Sequence, residues 1–112
     1  MLLLHAPLTK PCEPPAALAY LSAALTAHGL PCTVCDMNIE GLEFLLNTAV
    51  EADDTWSARA FKHLDSNKAT LQNLQSYHNF DRYGRAVADL NRILEITGKA
   101  YNLQLSLANY QD

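Results

Sequence analysis

Glycine is scarce in this chain, and it is missing where a nucleotide site would need it. The 112 residues hold four glycines, none between positions 6 and 15, where the first loop falls. Dinucleotide and Walker-type phosphate sites use glycines for a tight turn and close backbone approach, so both are disfavoured. Acidic residues are missing from the start of that loop, where a phosphoacceptor receiver would carry them, and so is the Ser/Thr/Gly-rich run of a flavodoxin-type phosphate loop. Charge is low as well, at 18% of residues with a net charge of -4. The eight Lys and Arg are scattered and form no stripe, which speaks against nucleic acid or an anionic membrane as partner. Three cysteines are an odd number and suggest no disulfide framework. The apolar start Met1-Leu2-Leu3-Leu4 lacks a basic flank and is too short for a signal peptide or membrane span. A cytoplasmic location is expected.

What the chain does hold is a hydrophobic content of 49%, enough for the core of one modest domain. Residues 2–5 are a short apolar run closed by Pro7, which fits a buried strand of a parallel sheet. Four of the five prolines lie between Pro7 and Pro15, so this segment continues neither strand nor helix. Residues 16–28 read as a helix, with Leu18, Leu21, Ala24 and Leu25 on one face and Tyr20 beside them. Pro14 and Pro15 suit its first turn, and Gly29 stands where a C-terminal cap belongs. Residues 31–36, Pro-Cys-Thr-Val-Cys-Asp, are the next strand. Strand, helix and strand make a parallel βαβ unit over residues 1–38, with a right-handed crossover expected.

Residues 39–99 read as helical. Asn38 is a candidate cap for a helix from Ile39 to about Val50, and Asp53-Asp54 opens a second through Trp56, Ala60, Phe61 and Leu64. Asp65-Ser66-Asn67 is expected to break it, with a shorter helix after it over Leu71 and Leu74. The clearest helix spans residues 81–97, with Tyr83, Val87, Leu90, Leu94 and Thr97 along one side and Gly98 as its stop. Alternation of Leu103, Leu105 and Leu107 with Gln104 and Ser106 predicts a third strand within residues 102–108. The fold class is therefore α/β: a Rossmann-like, flavodoxin-like parallel sheet, with a helical insertion between its second and third strands. Such sheets have about five strands. With three in view, the expectation is a single partial domain over residues 1–112, the front of a larger one.

Few side chains suggest chemistry by themselves. Cys32 and Cys35 lie three apart in a strand, so they point to opposite faces and cannot share a metal ion. Both read as small core residues, and Cys12 as a loop bystander. His5 reads as a strand-end residue with a local hydrogen bond, and His28, His63 and His78 as isolated. Glu13, Asp53 and Asp54 read as caps or solvated loop residues. The proline-fixed loop is the one segment with a functional reading. It costs little entropy to order and can form one wall of a ligand cleft beyond the strand ends.

The order of these features resembles the N-terminal cobalamin-binding domain of B12-dependent radical SAM proteins. That domain opens with an apolar strand and Asn-Pro-Pro. A Pro-Pro-Leu-Gly-Leu-Ala-Tyr-Leu-Ala helix follows, then His-Gly and a strand ending Asp-x-Asn. This chain has Leu2 to Pro7, then Pro14-Pro15-Ala16-Ala17-Leu18-Ala19-Tyr20-Leu21, His28-Gly29 and Asp36-Met37-Asn38. It departs at His5-Ala6 and at Ala17, and residues 39–112 carry no family motif. The resemblance implies cobalamin over the strand ends, with Ala6, Pro7, Leu8, Thr9, Pro14 and Pro15 as candidate contacts. The Asp-x-His-x-x-Gly motif of histidine-ligated cobalamin is absent, since Leu3 and Leu8 stand at its ends. It further implies a C-terminal radical SAM domain as partner, binding a [4Fe-4S] cluster and S-adenosylmethionine through Cys-x3-Cys-x2-Cys. Cys12, Cys32 and Cys35 do not have that spacing. The whole enzyme would be methyltransferase-like, while these residues alone would be non-catalytic. The competing expectation is a non-catalytic α/β interaction module packing on a partner domain. A homodimer through an uncovered strand edge is compatible with either.

Overall fold

The computed structural model describes residues 1–7, 10, 12–48 and 50–111, with the backbone alone for 110 and 111. The chain is mixed α/β and mostly helical, and it falls into two compact units, Met1–Phe44 and Leu45–Asp112.

In the first unit, β1 (Leu2–His5) pairs in parallel with β2 (Thr33–Asp36), and α1 (Ala16–Ala27) connects them. The register sets Leu2 opposite Thr33 and His5 opposite Asp36. The N-terminus closes the pair at its start: the Met1 amino group donates to Pro31 O at 3.0 Å, and Thr33 N–H to Met1 O at 2.8 Å. α1 has no side-chain cap at Pro15, whose fixed φ of -74° already suits a helix start. It ends as its sequence predicts. Gly29 takes φ +72°, its N–H donates to Thr26 O at 3.0 Å, and Leu30 N–H donates to Leu25 O at 2.9 Å. Those two bonds form a Schellman motif, which needs a residue that tolerates the left-handed region.

The covered face of α1 differs from the expected one. Leu18 is buried and Ser22 and Leu25 are half-buried, while Leu21, Ala24 and Tyr20 are exposed. The strand expected to be buried is also only half covered. Leu3 and His5 are half-buried, but Leu2 and Leu4 are 62% and 57% exposed. Successive strand residues face opposite sides, so one face is covered and the other open. α2 (Met37–Asn47) follows β2 without a loop, starting before the expected cap at Asn38. Asp36 performs that role, its Oδ1 accepting from Asn38 N–H at 3.0 Å.

The second unit holds α3 (Thr55–Lys62), α4 (Leu64–Gln72), a 3-10 helix (Leu74–His78), α5 (Phe80–Lys99), β3 (Gln104–Ser106) and β4 (Asn109–Gln111). Asp54 caps α3 as expected, accepting from Ser57 N–H at 2.6 Å. The expected break at Asp65-Ser66-Asn67 is absent, because α4 runs through those residues and the chain bends at His63 instead. Asp, Ser and Asn favour a helix's first turn, and here they form one: Asn67 N–H and Ser66 Oγ both donate to His63 O at 2.9 Å. Asn79 caps α5 by accepting from Arg82 N–H at 3.0 Å. Tyr77 and Tyr83, with ring centroids 4.9 Å apart, seat the 3-10 helix on α5. The core comprises Leu46, Ala60, Ala86, Leu90, Ile93, Leu94, Ile96 and Leu105. Leu90, Leu94 and Thr97 were on the expected stripe of α5, and Tyr83 and Val87 of that stripe are half-buried.

Two expectations change here. β3 pairs antiparallel with β4 and so is no third member of the parallel sheet. Alternation reports one open face and one covered face, not which strand lies alongside. Its hairpin turn is tied to α5 by Leu107 N–H donating to Asn91 Oδ1 at 2.9 Å. Gly98 is no stop signal either, since it lies within α5 and is buried. A Cβ built there would lie 2.5 Å from Leu103 O and 3.1 Å from Leu105 Cγ, so glycine is required by close approach. The left-handed turn comes at Asn102 instead, with φ 57°.

Gly98→Ala should therefore destabilise the protein by about 1–3 kcal/mol through overpacking. Gly84→Ala, in open space on the same helix, should stabilise it by about 0.4–1 kcal/mol. Urea unfolding midpoints of the two variants would separate close approach from helix propensity.

Candidate functional site

Parallel pairing puts the carboxyl ends of β1 and β2 at one edge, with His5 and Asp36 as register neighbours. The proline loop leaves β1 there, and α2 begins there. Of the candidate contacts, Ala6, Pro7 and Pro14 are exposed and Pro15 is half-buried at the start of α1. Leu8 and Thr9 lie outside the described residues. Within the loop Glu13 N–H donates to Lys10 O at 3.0 Å, closing a turn, and the two side chains pair at 3.8 Å. Both are more than half exposed, so that ion pair adds little stability.

All three cysteines are free. Cys35 Sγ lies 3.7 Å from Met37 Sδ, while Cys32 Sγ points to Ser22 O at 4.0 Å. The two thiols thus have separate surroundings, in keeping with their three-residue offset. His28, His63 and His78 are exposed at helix ends. Among the described residues, no group of three or more His, Cys, Asp or Glu is placed to hold a metal ion. No helix among them is long and apolar enough to cross a membrane.

The densest polar chemistry lies in the second unit, and the sequence reading missed it. Asp89 is 6% exposed, on the side of α5 that carries Ala86, Leu90 and Ile93. Its Oδ1 accepts from Trp56 Nε1 at 2.8 Å and Arg59 Nη2 at 3.2 Å, and its Oδ2 from Asn67 Nδ2 at 3.3 Å. One turn along α5, Arg92 Nη2 pairs with Asp53 at 3.0 Å and with Asp54 at 2.7 Å, and Nη1 pairs with Glu95 at 3.1 Å. Its Nε donates to Ser57 Oγ at 3.1 Å, and its guanidinium carbon lies 5.4 Å from the Trp56 ring centroid. A signal for this existed. Asp89 falls three residues after Ala86 and four before Ile93, so a charge on the apolar side of α5 implied a set of donors facing it.

Burial pushes the Asp89 carboxyl up, but bonds from Trp56, Arg59 and Asn67 outweigh it and hold the group below the ordinary range. The Ser57 hydroxyl and the Arg92 charge lower Asp53, and the Ser57 backbone N–H lowers Asp54. Bonds from Arg92 and Lys99 lower Glu95. A separate groove of about 460 Å³ lies between Glu95 and Lys99 of α5 and Leu103, Leu105, Ser106 and Asn109 of the hairpin. The Glu95–Lys99 pair at 3.3 Å occupies its charged wall.

No protein-family model, curated protein or solved structure matches this chain.

The four depressed carboxylates give a signed pH dependence. A group whose folded-state pKa is lowered contributes stability above its unfolded pKa and loses it as pH falls through the folded value. The urea midpoint should therefore hold steady from neutral pH to about 5 and fall below about pH 4, the ordinary carboxylate range. In Asp89→Asn the acid-side decline should be shallower, because one of the four linked groups is gone.

Proposed function

We propose that the chain is the cobalamin-binding part of a B12-dependent radical SAM protein, methyltransferase-like in the whole. The observation that carries this is the parallel β1–β2 pair joined through α1, with the proline loop leaving the pair's carboxyl edge. That edge is where open parallel sheets hold ligands. The glycine-free loop turns the reading away from dinucleotides and toward a ligand that asks for a firm apolar wall. Ala6, Pro7 and Pro14 are exposed and offer such a surface, Leu8 and Thr9 complete the segment in sequence, and Pro15 anchors it to α1. These residues fit one side of a large, flat group, while the rest of a cleft would come from loops after further strands of a Rossmann-like sheet.

Cobalamin would bring cobalt-centred methyl transfer to that cleft. The role of this chain's residues is to bind and exclude water, and none of them enters the chemistry. A separate C-terminal domain would hold the [4Fe-4S] cluster and S-adenosylmethionine, because Cys12, Cys32 and Cys35 are neither spaced nor gathered for a cluster.

A second reading, an α/β module that packs on a partner through its helical segment, is favoured by Leu74 and Phe80. Leu74 opens the 3-10 helix and Phe80 opens α5, at 79% and 84% exposure. The two readings separate in one experiment. The polypeptide encoded by the gene, carried through a downstream Cys-x3-Cys-x2-Cys region, should bind hydroxocobalamin stoichiometrically in a visible-absorbance titration. Residues 1–112 alone should bind it weakly. A stop codon directly after Asp112, or a longer protein that leaves the spectrum unchanged, would overturn the cobalamin reading and leave the interaction module.

A further inference from the structure

We propose that α3 is a strap, latched onto α5 by Asp89 and Arg92, that leaves the α4–α5 core as a unit when the latch loses its charge. Eight residues are fewer than the roughly 12–15 an isolated helix needs, so α3 persists only through what holds it. Apolar burial is a small part of that hold. The buried residues of α3 are Ser57 and Ala60, Phe61 is half-buried, and Trp56 is 44% exposed. The polar contacts, by contrast, run along its length. Arg92 takes Asp53 and Asp54 just before the helix and the Ser57 hydroxyl in its first turn. Asp89 takes Trp56 in the first turn and Arg59 further along.

α4 is held differently. It brings Thr70 into the core and half-buries Leu64 and Leu71, and Asn67 ties it to Asp89. α5 itself packs through Leu90, Ile93 and Leu94, all within 1% of complete burial. Asp89 is the buried partner while Arg59 is more than half exposed, so neutralising Asp89 weakens charge-assisted bonds from three donors at once. Two of the three donors to Asp89 belong to α3 and one to α4, so neutralising Asp89 takes most from the strap. Local opening at a cost below that of global unfolding is how a lid or strap is built.

The chain's one tryptophan is in the strap, which makes its release directly visible. In the full chain at neutral pH, Asp89→Asn should shift Trp56 emission to the red and raise amide exchange over residues 55–62 by at least about tenfold. Residues 86–97 should keep a higher opening free energy than α3, their exchange rising only as far as global stability falls. Equal opening free energies for α3 and α5, or unchanged α3 exchange, would overturn the proposal. If Asp89→Asn does not fold, native-state exchange of the wild-type chain in low urea decides: α3 amides should exchange through an opening nearly independent of urea, and α5 amides through one that follows global unfolding. Coincident behaviour of the two helices would again overturn it.

Discussion

Asp89 sets the terms for the second half of the chain. A carboxylate placed among the apolar residues of a twenty-residue helix must be neutralised, bonded or carried to the surface. Here it is bonded from three directions, and each donor fixes an element: Trp56 and Arg59 orient α3, and Asn67 orients α4. Those bonds favour the charged form, which is why its pKa lies low despite burial. The geometry that satisfies it also fixes Arg92 one turn later, whose guanidinium gathers the loop carboxylates at the start of α3. Small side chains follow from the same constraint. Ser57 and Ala60 are fully buried, and a larger residue at either position would hold α3 away from the acceptors it must reach. The cluster therefore gives up apolar burial in exchange for orientation, and its members depend on one another more than on the surrounding core.

Features of the fold that rest on local rules were legible in the sequence. Gly29 was readable as a helix cap because a left-handed residue after an Ala/Leu run has few other uses, and Asp54 as a cap because it precedes the apolar positions of α3. The stripe of α5 was readable from its period. What escaped was whatever depends on a partner distant in sequence. Gly98 looks like a stop, yet its meaning comes from Leu103 and Leu105 folding back onto it. Asp65-Ser66-Asn67 looks like an interruption because these residues suit caps and first turns alike, and only the bend at His63 decides which. Leu105 announces a strand, but β4 is too polar to announce itself as its neighbour.

The strand-end edge was legible in a different sense. Absence of glycine from one loop removed whole classes of phosphate ligand, and parallel pairing of β1 with β2 places that loop where ligands of such sheets bind. The candidate residues Ala6, Pro7, Pro14 and Pro15 carry no hydrogen-bonding side chain. Recognition there would rest on shape and backbone, which leaves little trace in residue types. Asp89 and its donors are the opposite case, strong in residue type and weak in any indication of a ligand. Chemistry dense enough to notice is not thereby a binding site, because each of its polar groups is occupied by another part of the same unit.

The exposed leucines of β1 bear on which functional reading fits best. A strand that reads Leu-Leu-Leu carries apolar side chains to both of its faces, as in parallel sheets covered on two sides. Here one face is half covered and the other leaves Leu2 and Leu4 mostly in solvent. β2 is composed differently, with Thr33 and Asp36 at its ends, and suits the rim of a sheet. In the proposed Rossmann-like sheet β1 would lie inside and β2 at the rim, and further strands would add on the far side of β1, bringing their loops round to the edge where the prolines stand. The proposed cobalamin cleft needs that arrangement, since a single proline wall cannot enclose so large a group. An interaction module that packs through Leu74 and Phe80 would ask nothing of the proline loop beyond a stiff crossover.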